Sequence, residues 1–137
     1  MKIELPDIAG QQAVIFTQAT EEAISILRSN LDAPRLPPQT EVVEADYPRT
    51  HLLREAEGWE PPASDLVGAY FRHFQGHFPE YGTDRKLAEL LGLSSDRRVR
   101  AFKEGSKAVP YGVWRRFLVL TGRVPQDVLP VMAYMAG

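Results

Sequence analysis

The stretch from Thr83 to Arg116, TDRKLAELLGLSSDRRVRAFKEGSKAVPYGVWRR, constrains this chain more than any other. It reads as two short helices joined by a tight turn. Thr83 can cap the first, whose apolar residues are Leu87, Ala88, Leu90 and Leu91. Gly92 can take the left-handed conformation that ends a helix. Ser94 or Ser95 caps the second, which runs to about Lys103 and stops at Gly105. At about 100° per residue, Val99 and Phe102 define the inward side of that second helix. Arg97, Arg100 and Ala101 point nearly opposite, with Arg98 and Lys103 on the flanks. Pro110 then opens a further helix, Tyr111 to Leu120, which Gly122 ends.

Charge is unevenly spread. The chain holds 16 Lys+Arg and 18 Asp+Glu, net −2, a balance that by itself points to no polyanionic partner. Residues 1–82 carry 6 basic and 13 acidic side chains, a net of −7, and residues 83–137 carry 10 basic and 5 acidic, a net of +5. A local nucleic-acid footprint beside an acidic partner region produces such an asymmetry. Solvated charged faces produce it as well.

A chain of 137 residues makes one ordinary domain, or two very small ones. There are no cysteines, which excludes disulfides, thiolate metal sites and cysteine nucleophiles. MKIELPDIAG lacks the apolar run of a signal peptide, and no segment reaches membrane-spanning length, so a cytoplasmic location with no membrane partner is expected.

The 11 prolines cut the remainder into pieces. Lys2–Leu5 and Gln12–Thr17 read as a pair of short strands, the second from its Ala-Val-Ile-Phe run. Thr20 is a candidate cap for a helix ending before Pro34, and Pro34–Gln39 reads as an extended linker. Thr40–Ala45 is a third candidate strand, with Val42 and Val43 buried. His51–Glu57 could form a helical turn, and Gly58–Pro62 is a break. Ser64 can cap a helix to about Gln75 whose broad apolar face includes Leu66, Val67, Tyr70, Phe71 and Phe74. A last short helix over Gln126–Met135 is interrupted by Pro130. The fold class expected is α+β: a small acidic N-terminal part, residues 1–60, with short strands and one helix, then a mainly helical domain over residues 61–137.

KLAELLGLSS…VRAFKEGSKAVP is similar to the Cro/lambda-repressor-like helix-turn-helix domains of phage, plasmid and bacterial regulators. Thr83, Leu87, Ala88, Leu91, Gly92, Leu93, Ser94, Val99, Phe102, Gly105 and Pro110 follow that pattern in order, and the resemblance covers about residues 64–122. Asp84 stands where the family often has a phosphate-contacting Gln. Gly92 to Val99 is one residue longer than the family spacing, and Gly105 to Pro110 is longer too. The resemblance implies double-stranded DNA as partner, with the second helix in the major groove.

Arg97 and Arg100 are then the expected base readers, since a guanidinium can grip guanine O6 and N7 together. Arg98, Lys103, Lys107, Arg85 and Lys86 would hold phosphates, and the Ser95 backbone N–H could do so at the helix start. Glu104 faces the same way and would repel phosphate. Arg115-Arg116 is either a second phosphate contact or a solvated face. The apolar tail VLPVMAYMAG either covers its own domain or forms a homodimer interface, as a palindromic operator would require.

Other chemistry finds little purchase. His73 and His77 have an i, i+4 metal-binding spacing, but their neighbours Phe71, Phe74 and Phe78 make packing roles the simpler account. No nucleophile-bearing turn, phosphate loop or recognisable carboxylate pair frames a catalytic site. The expected protein is a non-enzymatic transcriptional repressor, without cofactor or metal. The alternative is a protein-interaction module, such as an antitoxin or phage-encoded inhibitor, acting through the acidic N-terminal part.

Overall fold

The computed structural model describes residues 7–135. They contain five α-helices and no strand: α1 (Ile8–Asn30), α2 (Ser64–His77), α3 (Asp84–Leu90), α4 (Asp96–Glu104) and α5 (Tyr111–Leu120), with 3₁₀ turns at Glu44–Asp46, Arg49–Leu52, Glu55–Glu57 and Pro79–Tyr81. The α+β expectation is therefore corrected to an all-helical fold. The candidate strand Lys2–Leu5 lies outside the described residues. The chain divides into two compact units at Pro38, not near residue 60.

The first unit is built on α1. Its first half is the segment read as the strand Gln12–Thr17. That run holds only three β-branched residues, Val14, Ile15 and Thr17, beside Gln and Ala, and β-branching costs a helix only a few tenths of a kcal/mol per residue, or about 0.5. Asp7 starts the helix by accepting the Gly10 N–H at 2.6 Å. Thr20, expected as the cap, sits mid-helix and donates its hydroxyl to the Phe16 carbonyl at 2.7 Å. No residue of α1 is buried.

The second unit, from Gln39 onward, has one hydrophobic core. Trp114 and Phe117 of α5, Phe71 of α2, Leu87 of α3 and Val99 of α4 are all essentially inaccessible. The Trp114 and Phe117 rings stack at 5.5 Å, and Phe71 meets Phe117 edge-on at 4.9 Å. Each such side chain contributes about 1.5–3 kcal/mol by leaving water.

Residues 39–62 wrap onto this core, with Val42, Tyr47, Leu52 and Trp59 packed against it. The candidate strand Thr40–Ala45 is also corrected, because the buried Gln39 side chain occupies the hydrogen bonds a partner strand would supply. Its amide donates to the Val42 carbonyl at 2.8 Å and accepts the Val42 N–H at 3.1 Å. The chain then turns through Glu44–Asp46, and Val43 is left exposed. The Glu44 carboxylate accepts from the Tyr70 hydroxyl. Burial and that bond push the phenol up to about 12.

His51 anchors the wrap. The indole N–H of Trp114 donates to His51 Nδ1 at 3.2 Å, and that of Trp59 donates to the His51 carbonyl at 3.1 Å. Burial lowers the imidazole's affinity for a proton.

The tail departs from expectation too. Gln126–Met135 forms no helix in the described residues. Pro125 and Pro130 both lack an N–H, and Pro130 disfavours helical geometry at Leu129. Leu129 and Met132 are 83% and 91% exposed, so these two side chains are not covered by the domain.

Candidate nucleic-acid interface

The α3–turn–α4 unit is built by local rules that the sequence announces. Thr83 caps α3 by accepting the Lys86 N–H at 3.2 Å. The exit from α3 carries the reversed hydrogen bonds of a glycine-terminated helix: Leu93 N–H reaches back to the Ala88 carbonyl at 2.8 Å, and Gly92 N–H to Glu89 at 3.2 Å. Gly92 has φ 74°, a conformation only glycine adopts without strain. Ser95, the last of the five turn residues, caps α4 by accepting the Arg97 N–H at 3.1 Å. Gly105 closes α4 at φ 86°.

Leu87, Ala88, Leu91 and Leu93 fasten α3 and the turn to the core, and Val99 and Phe102 fasten α4. The small Ala88 lets the two helices approach. Arg116, from α5, donates its Nε–H to the Leu90 carbonyl at 2.9 Å, satisfying an acceptor at the end of α3.

With Val99 and Phe102 turned inward, Arg97, Arg98 and Arg100 are all exposed. Among the described residues Arg97 has no ion-pair partner. Arg100 lies 3.3 Å from Asp96, one turn earlier on the same helix. Exposed i, i+4 pairs are worth only about 0.3–0.5 kcal/mol, so this contact is readily exchanged. Arg98 packs its guanidinium over the Phe102 ring at 5.6 Å. Arg85 and Lys86 share Glu89 at 3.8 and 4.0 Å, with Arg85 81% exposed. Lys107 is exposed in the loop after α4.

Lys103 does not belong to this group, and its expected phosphate contact is corrected. Its ammonium donates to Asp84 Oδ1 at 2.6 Å and to Gln75 Oε1 at 2.8 Å, and the side chain is only 15% exposed. On the helical wheel Lys103 borders the inward side, so its stem runs along the core edge to the nearest carboxylate. Asp84, the residue that departs from the family's Gln, is consumed by the same contact. Burial acts to raise its carboxyl, but the hydrogen bonds from Lys103 and Gln75 hold it below the usual carboxylate range. This pair links α2, α3 and α4 and presents no free negative charge.

Arg115 is half-buried and tied to neighbouring segments, whereas Arg116 stays exposed beside its Leu90 contact. Arg115 donates to the Leu52 carbonyl at 3.1 Å and approaches Asp127 at 3.7 Å, tying the wrap and the tail to α5. Arg54 grips the same Asp127 at 2.8 Å.

The sequence-expected set thus separates. Arg85, Lys86, Arg97, Arg98, Arg100 and Lys107 are exposed cations on α3, α4 and the loop after it, Ser95 is a cap, and Lys103 is an internal strut. Asp84, which is paired with Lys103, and Glu89, Asp96 and Glu104 are the carboxylates on the same elements. His73 and His77 meet edge-on at 4.6 Å, and no group of three or more metal-ligating side chains occurs among the described residues. No described helix is long and apolar enough to cross a membrane. Comparison of the chain with protein-family models, curated proteins and solved structures finds no match.

Proposed function

We propose that this chain is a sequence-specific double-stranded DNA-binding regulator that represses transcription by occupying a palindromic operator as a dimer. The observation that carries the reading is the division of α4. Val99 and Phe102 are buried, while Arg97 and Arg100 project from the other side of the same helix. A helix seated by a capped, glycine-terminated neighbour and studded outward with arginines is fitted to a major groove. Arg97 and Arg100 read guanines, and Arg85, Lys86, Arg98 and Lys107 hold phosphates. The exposed apolar side chains of α1 and of the tail after Val128 are surfaces that a dimer would cover.

The test begins with selection of bound duplexes from a random pool by the full chain. Enrichment of a palindrome supports DNA binding and dimerism together, and no enrichment ends the reading. On the selected duplex, Arg97→Ala should weaken binding in fluorescence anisotropy by about 1–3 kcal/mol and relax the preference at one base pair. Lys107→Ala should weaken all sequences alike and reduce the salt slope by about one.

A second reading rests on a separate observation: α1 has no buried residue and exposes Ile8, Ile15 and Ile26. Such a helix suits a protein partner, and an antitoxin or inhibitor would use it while α4 engages DNA. Charge reversal on α4 that leaves the biological activity intact would favour this second reading.

A further inference from the structure

Below the wrap lies a cavity of about 240 Å³ whose lining includes Tyr47, His51, Glu60, Pro61, Pro62 and Leu66. It is remote in sequence from α3 and α4, and a ligand held there requires no DNA. Cavities of roughly 150 Å³ already hold a benzene ring, so this one admits a substituted single ring.

Its walls are stiff. Pro61 and Pro62 each have φ fixed by their rings. The segment they belong to is pinned by Trp59, whose indole holds the His51 carbonyl, and by the Glu60 N–H, 3.5 Å from the Thr50 carbonyl. Tyr47 is held by its hydroxyl, which donates to Asp65. A preformed wall of this kind costs little ordering on binding.

Two polar groups of the lining have unused capacity. His51 is only 6% exposed. Its Nδ1 accepts the Trp114 N–H, so in the neutral ring the proton sits on Nε2. That Nε2–H meets no protein acceptor among the described residues. Nor is it sealed from solvent, as the buried, unpartnered Arg115 Nε is. The second group is the Glu60 carboxylate, which has no ion-pair partner among the described residues. Residues 39–65 carry seven carboxylates against two arginines, but Arg72, Arg115 and Arg123 reach this stretch from later in the chain, so a cation would be held by the Glu60 carboxylate itself.

We propose that this cavity binds a compact aromatic amine. The ammonium group pairs with Glu60, the ring lies against the prolines and Leu66, and an oxygen on the far side of the ring accepts from His51 Nε2–H. Donor, carboxylate and apolar wall select together: a carboxylate in place of the amine meets Glu60, and a ring without the oxygen leaves the buried N–H unpaired.

Tyramine added to the full-length protein is the probe, and the Trp114 indole N–H resonance is the readout, because that N–H bonds to the opposite nitrogen of the same imidazole. We expect a saturable shift. Phenethylamine, lacking the oxygen, should bind about fivefold more weakly. 3-(4-Hydroxyphenyl)propionate, with the charge reversed, should give no saturable shift, and Glu60→Gln should weaken tyramine about tenfold. Glu60 is exposed, so the variant should keep the unliganded Trp114 resonance in place. No saturable shift with tyramine at millimolar concentration would overturn the proposal. So would equal binding of the amine and the acid, or tyramine binding that Glu60→Gln leaves unchanged.

Discussion

α1 runs for 23 residues without burying one of them, whereas the 10 residues of α5 bury Trp114, Phe117 and Leu118 completely. The longer helix is held by its own backbone, its Asp7 cap, its alanines and the Arg28 guanidinium near its C-terminal end. The shorter one would be marginal in isolation, and packing holds it. A helix of the first kind tolerates almost any apolar substitution. One of the second kind fails with the loss of a single ring. The contrast also separates two environments, since α1 leaves its apolar side chains exposed, while α3, α4 and α5 share the core beneath the arginines.

The sharpest test of this contrast pairs Trp114→Ala with Leu27→Ala. Trp114 fills the centre of the core and donates to His51, so its truncation should cost about 3–5 kcal/mol in denaturant unfolding. Leu27, 38% exposed on α1, should change the main transition by no more than about 0.5 kcal/mol. A comparable loss at Leu27 would mean that the two units share one cooperative core.

Next in size is Lys103. Lys103→Met removes the cation facing Asp84 in a site only 15–21% exposed, and should destabilise the 39–135 unit by about 1–3 kcal/mol. If Lys103 is a strut, DNA affinity measured well below the melting temperature should keep its salt slope. Lys107→Ala should do the reverse, with stability unchanged and the slope reduced. A Lys103→Met protein that is fully stable but binds DNA with a lower slope would return this lysine to the interface.

The Lys103 result also marks what the sequence could carry. The α3–α4 pair is legible because its signals are local: caps at Thr83 and Ser95, glycines at 92 and 105, and an apolar stripe of 3.6-residue period. The helices α2 and α5 are legible for the same reason. The α1 region misleads because Val14, Ile15 and Phe16 resemble a strand while the alanines, glutamines and glutamates around them favour a helix, and none of them is buried to mark the difference. Residues 39–62 are illegible because their structure depends on distant partners. Gln39 substitutes for a strand, and His51 meets Trp114 63 residues away. Lys103 and Arg115 mislead on the same account, since the wheel places a side chain on a flank but does not reveal a carboxylate or carbonyl waiting on another helix.

His51 gives the contrast a dependence on pH. Burial, joined by Arg49 and Arg123 and opposed by Glu44, lowers its pKa in the folded chain. The unfolded chain, with an ordinary value of about 6.5, therefore binds the extra proton first. Stability of the 39–135 unit should be undiminished by this group above about pH 6.5 and should fall as pH drops below it. Unfolding midpoints measured from pH 7.5 to 5 check the sign, and His51→Gln should flatten that part of the profile. A rise in stability on acidification would mean that His51 gains a partner when charged.

The smallest effect belongs to the cap of α1. Asp7 accepts the Gly10 N–H, and Asp7→Ala should cost the helix about 1 kcal/mol. In α5 such a loss would be shared with the whole core and would appear in the global midpoint. In α1, which buries no residue, the loss should fall on the helix, so the first turns should fray. Faster amide exchange over Gln11–Ala13 and slightly weaker far-UV helicity should then accompany an unchanged main unfolding midpoint. If a partner covers α1, adding it should restore amide protection in the Asp7→Ala chain, at an affinity reduced by the same free energy, about tenfold for 1.4 kcal/mol. A global midpoint that moves with Asp7 would show instead that α1 is part of the cooperative core, and the division between an exposed helix and a packed one would be lost.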